Sequence, residues 1–311
     1  MTVLRRSKKI KIAHSTLHFQ LAPHPLGIKP LGNTLFDDQI PIRSAGLGFF
    51  GILTDEILLD LLYTLDDASL CALAQVSKAM YCFVYTDDLW KDKLKKDGQL
   101  LPEFISNWRC TYIHSLTHQV PSQKFLKVQG MFSDHLFTSW RCASVPLNDL
   151  CGISRDTIPR ISSMTKEEFL TTYSKAPFIL TDAVSHWPAI SKWTMDYFVN
   201  QYGSQVLKAE AFDVTFKNYA AYASQCQEES PLYLFDKGFA NGTDLEKDYQ
   251  VPAIFQDFFD LLGKDRPDYR WLIIGPRRSG STFHIDPNGS KFLISFVHPR
   301  SKCLERSDQG I

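Results

Sequence analysis

No two of the seven cysteines in this 311-residue chain are spaced C-x-x-C; they scatter singly from Cys71 to Cys303. An odd, dispersed set excludes the compact disulfide framework of a small secreted domain and points to reduced thiols. No stretch approaches the ~20 consecutive apolar residues that a membrane span needs, so no membrane partner is expected. Net charge is also missing: Lys and Arg balance Asp and Glu at 34 each. Without a global field, direct contact with nucleic acid is not expected. The start "MTVLRRSKKIKIAHSTLHF" is basic but has no apolar core of a secretory signal, so an intracellular location, nuclear or cytoplasmic, is the expectation. Its cluster Arg5, Arg6, Lys8, Lys9 and Lys11 reads either as a nuclear-import address or as a solvated tail.

What is present is an ordinary 44% share of hydrophobic residues, enough to bury one large core or two smaller ones. Residues 1–45, rich in Pro, Gly and His, carry no sustained period and read as an extended or disordered leader. From Leu53 apolar residues recur at helical spacing: Ile57, Leu58, Leu61, Leu62, then Leu70 and Leu73, Tyr81 and Val84, and Leu89, Trp90 and Leu94. Between these groups fall Thr54 and Asp55, Asp66 and Asp67, Ser77, and Asp87 and Asp88, side chains able to accept from free helix-start amides. A set of short helices with short connectors follows. Further on, "LPEFISNWRCTYI" reads as amphipathic, and Thr165 and Glu168 stand at capping-box spacing. "PFILTD", "FDVTFKNYAAYASQ", "SPLYLFD", "YRWLIIG" and "STFHID" read as short strands, giving an α+β or barrel-like body.

The stretch "LTDEILLDLL" followed by "LAQVSKAMYCFVYTDDLWKDKL" resembles the F-box, with Thr54 where the usual opening has Pro and with Glu56, Val76-Ser77-Lys78 and Trp90 in order. The resemblance implies docking onto the Skp-type subunit of a cullin ubiquitin ligase through exposed Leu and Ile anchors. Leu58 and Leu62 are the positions at which a charge would test it.

His284 and Asp286 lie two apart, so on a strand both side chains share a face and can supply two donors of a 2-His-1-carboxylate site. H-x-D alone is weak, and a hydrogen-bonded His beside a turn Asp is the commoner cause. Its surroundings, "SPLYLFD", "YQVPAIFQDFF" and "RWLIIGPRRSGSTFHIDPNG", resemble the JmjC-domain oxygenases of the lysyl-hydroxylase and arginine-demethylase type. That resemblance implies Fe(II) and 2-oxoglutarate as cofactors, a protein substrate, His284 and Asp286 as iron ligands, and Tyr233 and Ser281 as hydroxyl partners of 2-oxoglutarate. Ser281 stands where the family usually has Thr. Arg277 and Arg278 read as a co-substrate steering pair or as solvated charges.

The family pattern stops after Ser290. The "KFLISFVHPRSKCLERSDQGI" that follows has no Trp-Asn run, no matching Lys and no distal His ligand; neither Lys291 nor His298 is expected to replace them. Ser290-Lys291-Phe292 admits codons containing an intron start, so 291–311 reads as a non-homologous tail, one source of which is translated intron. The expected fold is α+β. A helical F-box module (46–96) is followed by a connector (97–160) and by the N-terminal half of a JmjC double-stranded β-helix, cupin-like and incomplete (161–290), whose uncovered apolar face would be exposed. The expected function is that of an F-box/JmjC oxygenase, catalytically incomplete in these residues; the alternative is a non-enzymatic F-box adaptor.

Overall fold

The structure, a computed structural model, describes residues 22–95, 99–122, 124–146, 158–257, 259–282 and Ser295. Helix α1 (Arg43–Leu47) leads into α2 (Asp55–Tyr63), α3 (Asp67–Val76), α4 (Lys78–Val84) and α5 (Asp87–Leu94). The punctuation residues act largely as expected. Thr54, Asp66 and Ser77 each accept from a backbone N–H of the following helix, satisfying donors that the helix itself leaves open. Leu58, Leu62, Leu70, Leu89 and Trp90 turn inward, and the Trp90 indole donates to the carbonyl of Val84 at 2.8 Å. A helical face of this small area is stabilised mainly by what it packs against.

Two features differ from the sequence reading. The Pro- and Gly-rich leader, where it is described, holds a short 3-10 turn (Leu31–Leu35) and the start of α1, and its first described residues belong to the core. Leu26 and Ile28 are buried, and the segment bonds through its backbone to residues 128–133, as in Val128 N–H to Leu26 O and Lys29 N–H to Met131 O. Its apolar residues recur too irregularly to register as a period. The amphipathic stretch after residue 100 becomes helical only at α6 (Trp108–Thr117); Asn107 caps it, and the residues before it are not helical.

Helix α7 (Asp134–Ser144) is capped by Ser133. Beyond it, the two-residue strands β1 (Arg160–Ile161) and β2 (Ile179–Leu180) pair in parallel. Between them α8 (Lys166–Glu168) opens on the expected capping box of Thr165 and Glu168. Helices α9 (Pro188–Lys192) and α10 (Met195–Tyr202) precede β3 (Val206–Ala209), β4 (Phe212–Thr215), α11 (Phe216–Gln225), β5 (Leu234–Asp236) and β6 (Leu272–Ile274). "FDVTFKNYAAYASQ" is thus strand only at its start. Thr215 accepts from the Asn218 N–H at 3.1 Å and begins a helix, and the spacing of Phe216, Tyr219 and Tyr222 buries one helical face.

The four strands form an antiparallel sheet in the order β4-β3-β5-β6. Leu207, Ala209, Phe212, Val214, Leu234 and Leu272 face a single hydrophobic core that runs without interruption from the F-box-like helices through α6 to the sheet. Trp108 of α6 stacks on Phe212 with centroids 5.7 Å apart. The opposite face exposes Val206, Phe235, Trp271 and Ile273, side chains large enough that burying each is worth roughly 1.5–3 kcal/mol. The α+β architecture, helical module first and antiparallel sheet second, is as anticipated. Among the described residues no helix is long and apolar enough to cross a membrane.

Candidate co-substrate site and docking face

Tyr233 leads into β5. Its neighbours are held from beneath by two phenols of α11: the Tyr222 hydroxyl accepts from the Leu232 N–H at 2.7 Å, and the Tyr219 hydroxyl accepts from the Leu234 N–H at 3.2 Å. The same Tyr219 hydroxyl donates to the Ile274 carbonyl of β6 at 2.6 Å, which ties the two strands together. Burial pushes both phenols well above their ordinary range, so they stay neutral donors and acceptors. With 232 and 234 fixed inward, alternation turns Tyr233 to the open face beside Phe235, ring centroids 6.0 Å apart.

Register places Tyr233 opposite Gly275, because Leu234 pairs with Ile274 in antiparallel strands. A side chain at Gly275 would collide with Ser279 Oγ and meet the Tyr233 Cβ at 3.3 Å. The missing Cβ is what lets the next turn, closed by Ser279 N–H to Pro276 O, fold against the tyrosine. That turn delivers the exposed Ser281. Tyr233 brings a phenol to the open sheet face, and Ser281 brings an exposed hydroxyl a few residues beyond β6; hydroxyls of both kinds can donate to a carboxylate. His284 and Asp286 lie outside the described residues, as do Ser290, Lys291 and His298. Among the described residues no group of three or more His, Cys, Asp or Glu is placed to hold a metal.

Arg278 corrects the sequence reading: it is neither a steering charge nor a solvated one. Its guanidinium donates to the Cys142 carbonyl at 2.6 Å and to that of Val145, at the C-terminal end of α7. Nothing in the local sequence signals this, since the two ends lie far apart along the chain.

The second candidate surface lies on the F-box-like helices. Phe49 is 99% exposed, Ile57 53% and Leu61 37%, with Ile52 also outward, whereas Leu58 and Leu62 are 0% and 1% exposed. Leu58 and Leu62, the positions the sequence offered for a docking test, are thus core; Ile57 and Leu61 are the outward pair. Both pairs satisfy a helical period, and only packing distinguishes them. A shallow apolar groove bordered by Phe50, Leu61, Leu65, Ala72 and Leu73 adjoins them.

Asp87 was read as a cap for its own helix and acts instead on the next one. Its carboxylate accepts from the Trp108 and Arg109 N–H groups at 3.1 and 3.0 Å, completing the N-terminus of α6. Burial pushes its pKa up to about 6, opposed by those two amide bonds and helped by the carboxylates of Glu228 and Asp88. One turn on, Lys91 pairs with Glu228 at 2.6 Å, and Glu228 accepts from the Tyr222 hydroxyl at 2.7 Å. A continuous polar path therefore runs from α5 of the helical module to the strand that carries Tyr233.

The F-box-like family description matches residues 55–96. Over 278 residues the chain is 38% identical to Arginine-specific demethylase JMJ22 of Arabidopsis thaliana, covering 85% of this chain and 54% of that protein. The chain carries an F-box-like domain and is homologous to JmjC arginine demethylases and lysyl hydroxylases. It is also 33% identical over 260 residues to Lysine-specific demethylase JMJ21 of the same plant, covering 79% of this chain and 27% of that one. Against the Bifunctional arginine demethylase and lysyl-hydroxylase psr-1 of Caenorhabditis elegans it is 36% identical over 165 residues, 48% of this chain and 41% of the relative. The chain thus spans about half or less of the length of these curated relatives.

Proposed function

We propose that these residues form the F-box and N-terminal oxygenase portion of an Fe(II)- and 2-oxoglutarate-dependent hydroxylase or demethylase of protein side chains, linked to a cullin ubiquitin ligase through its Skp-type subunit. The observation that carries the reading is the open face of β5 and β6, where Tyr233 lies against Gly275 on the strand that leads to Ser281, His284 and Asp286. In this reading the F-box spans 46–96, the connector 97–160, the N-terminal half of the JmjC domain 161–290 and the tail 291–311.

His284 and Asp286 would hold iron, and Tyr233 and Ser281 would hold the carboxylate of 2-oxoglutarate. When bound, iron with 2-oxoglutarate supplies oxidation of an unactivated substrate carbon by dioxygen. The chain's own contribution is two metal donors, two hydroxyls that orient the co-substrate, and an apolar sheet face that excludes water once covered. The basic cluster from Arg5 to Lys11 supports a nuclear address. The exposed Phe49, Ile52, Ile57 and Leu61 support helix-to-helix docking of the ligase subunit.

An oxidising iron centre of this type needs three protein donors, and His284 and Asp286 match two of them. Anaerobic Fe(II) titration of this polypeptide should show weak binding that His284→Ala and Asp286→Ala remove, with succinate formation from 2-oxoglutarate at background. Iron binding unaffected by His284→Ala would reject the metal assignment. Tight stoichiometric binding with robust succinate formation, abolished by that substitution, would reject the incompleteness.

A further inference from the structure

Helix α7 touches both candidate surfaces, one at each end. At its N-terminus Ser133, the cap residue, donates to Asp55 Oδ2 at 2.5 Å, and Asp55 Oδ1 accepts from Arg43 at 2.8 Å. One residue into the helix, His135 Nδ1 lies 3.2 Å from Glu56 Oε1. Asp55 and Glu56 form the first turn of α2, between the outward Ile52 and Ile57. At its C-terminus α7 offers the Cys142 and Val145 carbonyls to Arg278, a cation at the negative end of the helix. Its eleven residues span roughly 16 Å.

The turn at the far end is held in an uncommon backbone conformation. Arg278 is held at φ +81°, a left-handed conformation that an ordinary L residue leaves when its restraint is removed. The clamp on α7 is such a restraint, and the same turn carries the chain from Gly275, beside Tyr233, towards Ser281.

We propose that α7 couples the docking face to the co-substrate turn, so that a ligase subunit binding beside Asp55 and Glu56 changes the population of the clamped 275–281 turn. This inference rests on the docking and co-substrate assignments above. A partner that seats on Ile52 and Ile57 must accommodate or displace the contacts of Asp55 and Glu56 with α7, and any shift there is delivered to Arg278. Couplings of this kind typically change affinity by 5–150-fold, and they act in both directions.

The test is amide hydrogen exchange across 275–282 in the full chain, with and without purified Skp-type subunit, for wild type, Arg278→Met and Ser133→Ala. The expected result is a several-fold change in exchange of the turn on partner binding in wild type, lost in both variants although each still binds the partner. Ser133→Ala acts at the opposite end of the helix, so it decides the matter if Arg278→Met fails to fold. Partner binding with unchanged exchange of the turn in wild type would overturn the coupling and leave the docking assignment standing. Absence of partner binding would overturn both. A response retained in the two variants would exclude α7 as its carrier.

Discussion

Replacing Asp87 by Asn tests whether the junction between the F-box-like helices and α6 depends on a buried charge. Its pKa rises from 3.8 to about 6, so the folded state holds the proton more tightly than the unfolded chain. For a carboxylate shifted upward, stability is greatest below the unfolded value and falls as pH rises through the folded one. Two units correspond to at most about 3 kcal/mol, and partial solvent access to the side chain lowers that to roughly 2–3 kcal/mol. The absolute pH profile would hide the effect. His24, pushed down to about 4 by burial, loses stability in the opposite direction as pH falls from 6.5, and Asp37 and Asp66, shifted downward by hydrogen bonds, act below 3.8. The difference between wild type and Asp87→Asn removes these common contributions. Urea denaturation at intervals from pH 4 to pH 7 should show wild type losing roughly 2–3 kcal/mol relative to the Asn variant, nearly all of it between pH 4 and 6. Thermal melts should follow, at about 2–4 °C per kcal/mol for a chain of this size. Parallel curves for the two proteins across that window would refute the buried-charge account of the junction.

Two further variants separate surface from core. Ile57→Asp with Leu61→Asp should abolish capture of the Skp-type subunit while leaving the denaturation midpoint within about 0.5 kcal/mol, the usual range for surface changes. Leu58→Asp, at a fully buried position, should destabilise the chain by more than about 3 kcal/mol; calorimetry and pull-down on the same preparations check both. Tyr219→Phe leaves the Leu234 N–H and Ile274 carbonyl without their shared hydroxyl. It should cost about 1–3 kcal/mol, with exchange in β5 and β6 accelerated before that of the F-box-like helices.

Sequence alone determined the short helices, their caps at Thr54, Asp66 and Ser77, the Thr165–Glu168 capping box and the strand character of "YLFD" and "WLII". These depend on neighbours a few residues apart, and local spacing records them. The H-x-D pair is a sequence pattern whose residues lie outside the described ones. Tertiary structure alone decided which leucines of α2 are core and which face solvent, because two adjacent helical stripes carry the same period. It decided that Asp87 completes a helix other than its own, that Arg278 clamps α7, and that a Pro-rich leader contributes Leu26 and Ile28 to the core. Each of these joins groups distant in sequence, where the chain's path through space, and not its local preference, sets who meets whom.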